Sequence, residues 1–178
     1  MQFLKETKTA IIIMLAVILG SSTISAVSSI NSMAEKISSH FYKGSGDNFC
    51  IYEDIIDKTE FAYEIFQTAD KNGYSDKTVK TIPTLIESIK KEKSVRKLYS
   101  LVQQMDSAVN YTVALLADKA LPSEQLSILD KARRSYDSES RTIGSDPYNQ
   151  LVQQFHDEVD GFPGSLFEIL ANDVEYFR

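Results

Sequence analysis

Tryptophan is absent from this chain of 178 residues, and cysteine and histidine nearly so, at one and two residues. The single thiol, Cys50, permits no intramolecular disulfide and no thiolate metal cluster. An excess of basic residues is missing as well. Nineteen Lys and Arg stand against 25 Asp and Glu, a formal net charge of -6. No basic face of the kind that drives phosphate binding is expected, so nucleic acid is not an expected partner. Sustained two-residue alternation and Val-Ile-Thr-rich runs bounded by turns are also lacking, which removes the usual signals of strands. Nothing resembles a nucleophile elbow, a P-loop or a glycine-rich dinucleotide turn, and no cofactor is expected.

What is present is helical periodicity. The pattern reads as all-α: an N-terminal transmembrane helix continuing into an antiparallel bundle of long helices. "AIIIMLAVILG", residues 10 to 20, is uninterrupted apolar sequence, and no charge occurs between Lys8 and Glu35. That span can supply the roughly 20 residues a membrane-crossing helix needs. A cleaved signal peptide is the rival, with small-residue cut sites near Ser25, Ala26 and Ser28. Retention is favoured because Ile24, Val27, Ile30, Ala34, Ile37 and Phe41 step by three or four past those cuts, as one helical stripe. The division expected is a membrane anchor over residues 1–30 and a helical bundle over 31–178. Lys5 and Lys8 precede the anchor and Lys36 is the first cation after it. By the positive-inside bias the bundle lies outside the cytoplasm, on a single-pass protein of the cell membrane.

Punctuation divides the rest. "KGSG", residues 43 to 46, stops the first helix. A second helix is predicted after Asp47, with Phe49, Tyr52, Ile56, Tyr63 and Phe66 on its buried face and Cys50 as a small residue at its start. Asn72-Gly73 ends it, with Gly73 as the left-handed residue. Pro83 begins or kinks a third helical pattern, and Thr84 with Glu87 has capping-box spacing. Leu98, Val102, Met105, Val109 and Leu116 continue it beyond "KKEKSVRK", a solvated face or a local break. A fourth helix starts near Pro122 or Ser123, with Leu126, Leu129, Ala132 and Tyr136 inward and Gly144 closing it. The fifth has Asp146 as cap and Pro147 at the first helical position, where a missing amide proton costs nothing.

"SDPYNQLVQQFHDEVDGFPGSLFEIL", residues 145 to 170, raises the question of a site. Tyr148, Leu151, Val152, Phe155, Val159 and Phe162 define a buried stripe. His156, Asp157, Glu158 and Asp160 fall beside or opposite it. His156 and Asp160 have the four-residue spacing of a zinc pair, but His40, the only other histidine, sits in the first helix. A solvated acidic face is the simpler reading, and no metal or catalytic residue is assigned. Asn149 is expected to hydrogen-bond across a helix junction. Phe162-Pro163-Gly164 is expected to turn the chain.

Three stretches together resemble the LemA family. They are the anchor leading straight into a bundle, "KTIPTLIESIK" at residues 80 to 90, and "YNQLVQQFHDEVDGFPGSLFEIL" followed by "EYFR" at residues 175 to 178. Ile82, Pro83, Leu85, Tyr148, Asn149, Val152, Phe162 and Pro163 occupy the motif positions. Phe155-His156 stands where the family has Tyr-Asn, and residues 91 to 121 match only in helical character. The resemblance implies a bacterial single-pass membrane protein with an antiparallel helical bundle, structural roles for those eight residues, and no established enzymatic activity. The expected function is a non-catalytic interaction or scaffold module of the cell envelope. Its expected partners are the lipid bilayer through residues 10–30 and an envelope protein, with a further copy of the chain as a candidate. An extracytoplasmic sensory or small-ligand-binding bundle is the alternative.

Overall fold

The computed structural model describes residues 2–44, 50–160 and 174–178; within the first helix, side chains are described only for Met14, Ser21 and residues 23 onward. Every regular element among these residues is an α-helix: α1 (Gln2–Lys43), α2 (Ile51–Lys71), α3 (Thr81–Lys91), α4 (Val95–Ala117), α5 (Ser123–Ser145) and α6 (Tyr148–Asp160). The chain is all-α, as its periodicity indicates. No helix among the described residues is long and apolar enough to cross a membrane. The apolar run of residues 10–20, on which the anchor expectation rests, has Met14 as its one described side chain.

The chain divides into two compact units. One holds Met1–Ser38 with Leu151–Val174, the other Ser39–Gln150 with Glu175–Arg178. In the first, Ala34 and Ile37 of α1, Val152, Phe155 and Val159 of α6, and Val174 are buried. The stripe read along α1 is only partly covered. Val27 and Ile30 are half-buried and Ile24 is 73% exposed. An apolar pattern marks a face, and it does not record how far a neighbour covers it.

The second unit is a helical bundle in which α2 packs on α5, α4 and α3, and α3 packs on α4. Its ends are well specified locally. Cys50 is the N-cap of α2, its Sγ accepting the Glu53 amide at 3.4 Å, and Glu53 and Asp54 suit the positive end of the helix dipole. At the other end Gly73 takes φ +76°, the Gly73 amide donates to the Asp70 carbonyl and the Tyr74 amide to Ala69. That is a Schellman closure, and it needs the left-handed residue.

Three expectations are corrected here. The buried face of α2 is not Tyr52, Ile56, Tyr63 and Phe66, which are half-buried or, for Tyr63, 44% exposed; Phe49 lies outside the described residues. The seam instead uses Ile51, Ile55, Ala62, Ile65 and Ala69 with Asp54, Lys58, Thr59 and Thr68. Small residues let neighbouring helices approach, and the rings turn aside. Thr84 and Glu87 form no cap, because α3 begins three residues earlier at Thr81. There the Asp76 Oδ1 accepts the Val79 amide at 3.0 Å in the preceding turn. Pro83 then sits within the first turn, where amides lack partners anyway. Leu126 is 43% exposed, and only Leu129, Ala132 and Tyr136 are buried in α5, which runs past Gly144. The "KKEKSVRK" stretch is a break: Glu92 Oε1 accepts the Lys93 and Ser94 amides, both at 2.9 Å, and Ser94 caps α4.

Candidate functional site

The motif positions fall into three groups. Ile82, Tyr148 and Val152 are buried, whereas Pro83, Leu85 and Asn149 are half-buried. Phe162 and Pro163 lie outside the described residues, as do Leu166, Phe167 and Leu170.

Tyr148 and Asn149 meet "EYFR". The Asn149 Nδ2 donates to the Phe177 carbonyl at 2.8 Å, and the Phe177 amide donates back to Asn149 Oδ1 at 2.9 Å. Tyr148 OH donates to the Glu175 carbonyl at 2.8 Å. The Glu175 carboxylate accepts from Ser94 Oγ at 2.7 Å and from the Arg96 amide at 3.2 Å. It thus caps α4, where free amides and the helix dipole favour an anion. Burial works to raise the Glu175 pKa, but the bonds from Ser94, Arg96 and Val95 outweigh it and hold the carboxyl below its usual range. Phe177 is buried, its ring 5.5 Å from that of Phe41 and 5.1 Å, edge on, from Tyr99; Phe41 also lies 5.0 Å from Tyr148. Asn149, expected to bond across a helix junction, has instead as its partner the backbone of Phe177, in a segment that is not helical. Sequence reasoning missed the role of Glu175, Ser94 and Tyr99. A serine that starts a helix is a visible cap signal, whereas the carboxylate 81 positions away that joins it is not.

A buried polar seam lies between α2, α4 and α5. Lys58 is 2% exposed, and its Nζ pairs with Asp106 Oδ1 at 2.6 Å. Tyr136 OH donates to the same oxygen at 2.6 Å, and the ammonium stands 4.7 Å from the Tyr136 ring centre. Burial, then the Asp106 charge, pushes the Tyr136 phenol well above its ordinary range. One turn before Lys58, Asp54 is 7% exposed. Burial first, then the charges of Glu139, Asp57, Asp146 and Glu53, raise its pKa to about 6. Glu139 is raised too, by burial and by Asp57. Nearby, His40 Nε2 and Asp146 Oδ1 are 3.2 Å apart, and that oxygen also accepts the Tyr148 amide at 2.8 Å.

A pH dependence follows. The folded pKa of Asp54 lies above its ordinary 3.8, so folding favours the protonated form. The cost of ionising Asp54 is absent below about pH 4 and grows as pH rises through 6. Asp54→Asn removes that term. At pH 7 the variant should be more stable than wild type by on the order of 1–3 kcal/mol, with the gap closing toward pH 4. Melts of both chains across pH 4 to 8 measure it; parallel curves would refute it.

The α6 surface is not uniformly solvated. Asp157, Glu158 and Asp160 are exposed, whereas His156 is half-buried with Nε2 3.0 Å from the Val174 carbonyl and its ring 5.6 Å from Phe155. The sequence reading placed His156 with the wet residues; it belongs to the contact with Val174. Asp157→Asn with Glu158→Gln should shift stability by no more than about 0.5 kcal/mol each. His156→Ala should cost about 1 kcal/mol through the lost hydrogen bond. Denaturant titration separates the two outcomes, and equal effects would count against the assignment. Among the described residues no three His, Cys, Asp or Glu side chains are placed to hold a metal ion.

An open groove of about 950 Å³ lies between α4 and the start of α3, lined by Ser75, Asp76, Thr81, Leu85, Gln104 and Tyr111 among others. The Ser75 hydroxyl is buried without a hydrogen-bond partner, and Tyr111 OH donates to Asp76. No family model, no curated protein and no solved structure matches the chain.

Proposed function

We propose that the chain is a membrane-anchored helical interaction or scaffold module of the bacterial cell envelope, LemA-like and without catalytic activity, whose antiparallel bundle lies outside the cytoplasm. One observation carries the reading. The stretch free of charge from Thr9 to Ala34 lies within a single helix, α1, whose Phe41 is buried. Its apolar run, residues 10–20, with the uncharged residues that follow, can supply the roughly 20 residues that a membrane-crossing helix needs. The motif residues Tyr148 and Asn149 act structurally, by holding "EYFR". The bilayer contacts residues 10–30, and the bundle presents its surface to an envelope protein.

The test uses the full chain in its native membrane. Carbonate extraction should leave it in the pellet, and intact mass should include residues 1–30. A soluble mature chain starting between residues 26 and 29 would sink the reading. Protease added to spheroplasts should cut the bundle before the membrane is permeabilised; cleavage only afterwards would reverse the orientation. A sensory or small-ligand-binding bundle is the second reading. The groove beside Ser75 favours it, and it would gain if a small molecule rather than a protein were retained on the purified chain.

A further inference from the structure

Glu175–Arg178 has no regular secondary structure, yet it is held by side chains from three helices. Asn149 pairs with the backbone of Phe177 as a neighbouring strand would, and Tyr148 takes the carbonyl of Glu175. Two side chains of the segment are read: Glu175 at the start of α4, and Phe177 against Phe41 and Tyr99. The intervening Tyr176 is half-buried, and the Arg178 guanidinium lies 3.8 Å from its ring. Backbone pairing plus two alternate anchoring side chains is how a surface recognises an extended peptide. The chemistry specifies Glu-Xaa-Phe, and nothing in it requires that the segment come from the same chain.

We infer that this surface also takes the Glu175–Arg178 segment of a second copy, so that two chains associate by exchanging it. A second copy is the occupant whose fit is already displayed, contact by contact. Exchange makes the same bonds between chains that exist within one, a low-cost route to association. The inference rests on reading the bundle as an interaction module, and it names the partner.

Two full-length variants with different tags test it. Asn149→Ala weakens the receiving surface and leaves the segment intact. Phe177→Ala weakens the segment and leaves the surface open. Co-expressed, the first should donate its segment to the second. Capture through one tag should bring down the other about tenfold more than when either variant is paired with itself. Equal capture in all pairings, or none in the mixed pair, overturns the inference. Since Asn149→Ala also removes a contact of the fold, a second measurement uses the peptide Val-Glu-Tyr-Phe-Arg. It should bind the Phe177→Ala chain about tenfold more tightly than wild type, whose own segment competes. A peptide with Gln for Glu and Ala for Phe should not bind. A peptide that binds both chains alike, or neither, overturns the inference. Membrane extraction is a separate readout. A soluble chain that exchanges refutes the anchored reading alone, and an anchored chain that fails both assays refutes the exchange alone.

Discussion

Asp106→Ala is expected to destabilise the bundle by about 3–5 kcal/mol, although Asp106 itself is 36% exposed at its side chain. The cost comes from what it leaves behind. Lys58, 2% exposed, would keep an ammonium out of water with no counter-charge, and Tyr136 would lose the acceptor of its hydroxyl. A buried pair adds little over well-packed apolar residues, whereas half of one is costly. The double variant Lys58→Met with Asp106→Ala should therefore recover most of the loss, since methionine fills the lysine's volume without its charge. Denaturant unfolding of wild type, single and double variants measures both effects. A single variant within about 1 kcal/mol of wild type, or a double variant no better than the single, would show that water reaches Lys58.

Phe41→Ala should cost a similar 3–5 kcal/mol, by a different mechanism. Its ring is wholly buried, with the rings of Tyr42, Tyr148 and Phe177 at 4.9, 5.0 and 5.5 Å. Truncation removes the transfer energy of the ring and opens a cavity between elements fixed by their own hydrogen bonds. One wall of the Phe177 site goes with it, so Glu175–Arg178 should become more accessible to protease as well. Tyr63→Ala, at a ring 44% exposed on α2, is the control and should stay below about 1 kcal/mol. Thermal melts and limited proteolysis report the two consequences. An effect no larger than the control's would mean that the cluster repacks around the gap.

Helix ends were the most legible part of the sequence. Asn72-Gly73, Pro122 and Asp146 act within a few residues of themselves, through one amide or one dihedral angle, and such signals survive in any window of sequence. The α4 stripe was legible for a related reason: Leu98, Val102, Met105, Val109 and Leu116 are all buried, and the face they mark is apolar except for Thr112. On α2 the same logic failed. Its aromatic residues formed the stronger pattern, but the seam took the side bearing Asp54, Lys58 and two threonines: Lys58 is answered by Asp106 on α4 and Tyr136 on α5, and Thr59 and Thr68 donate to carbonyls of their own helix. Polar residues read as surface until the groups that answer them are known. The Glu175 contact was hidden similarly, since 79 to 81 positions separate it from its donors. Asn149 is the intermediate case. Its motif marked it, but its partner, the backbone of Phe177, lies 28 positions away.

Cys50 is the chain's one thiol, and it is 1% exposed at the first turn of α2. Burial, the largest influence, pushes its pKa up, so the reactive thiolate is scarce as well as shielded. Alkylation must then wait for that turn to open. If reclosing outpaces the reagent, the labelling rate reports the opening equilibrium; if labelling outpaces reclosing, it reports the opening rate. The molecule thus carries a single-site chemical clock for local breathing at the mouth of α2. One mass shift per chain would time it, with no engineered probe.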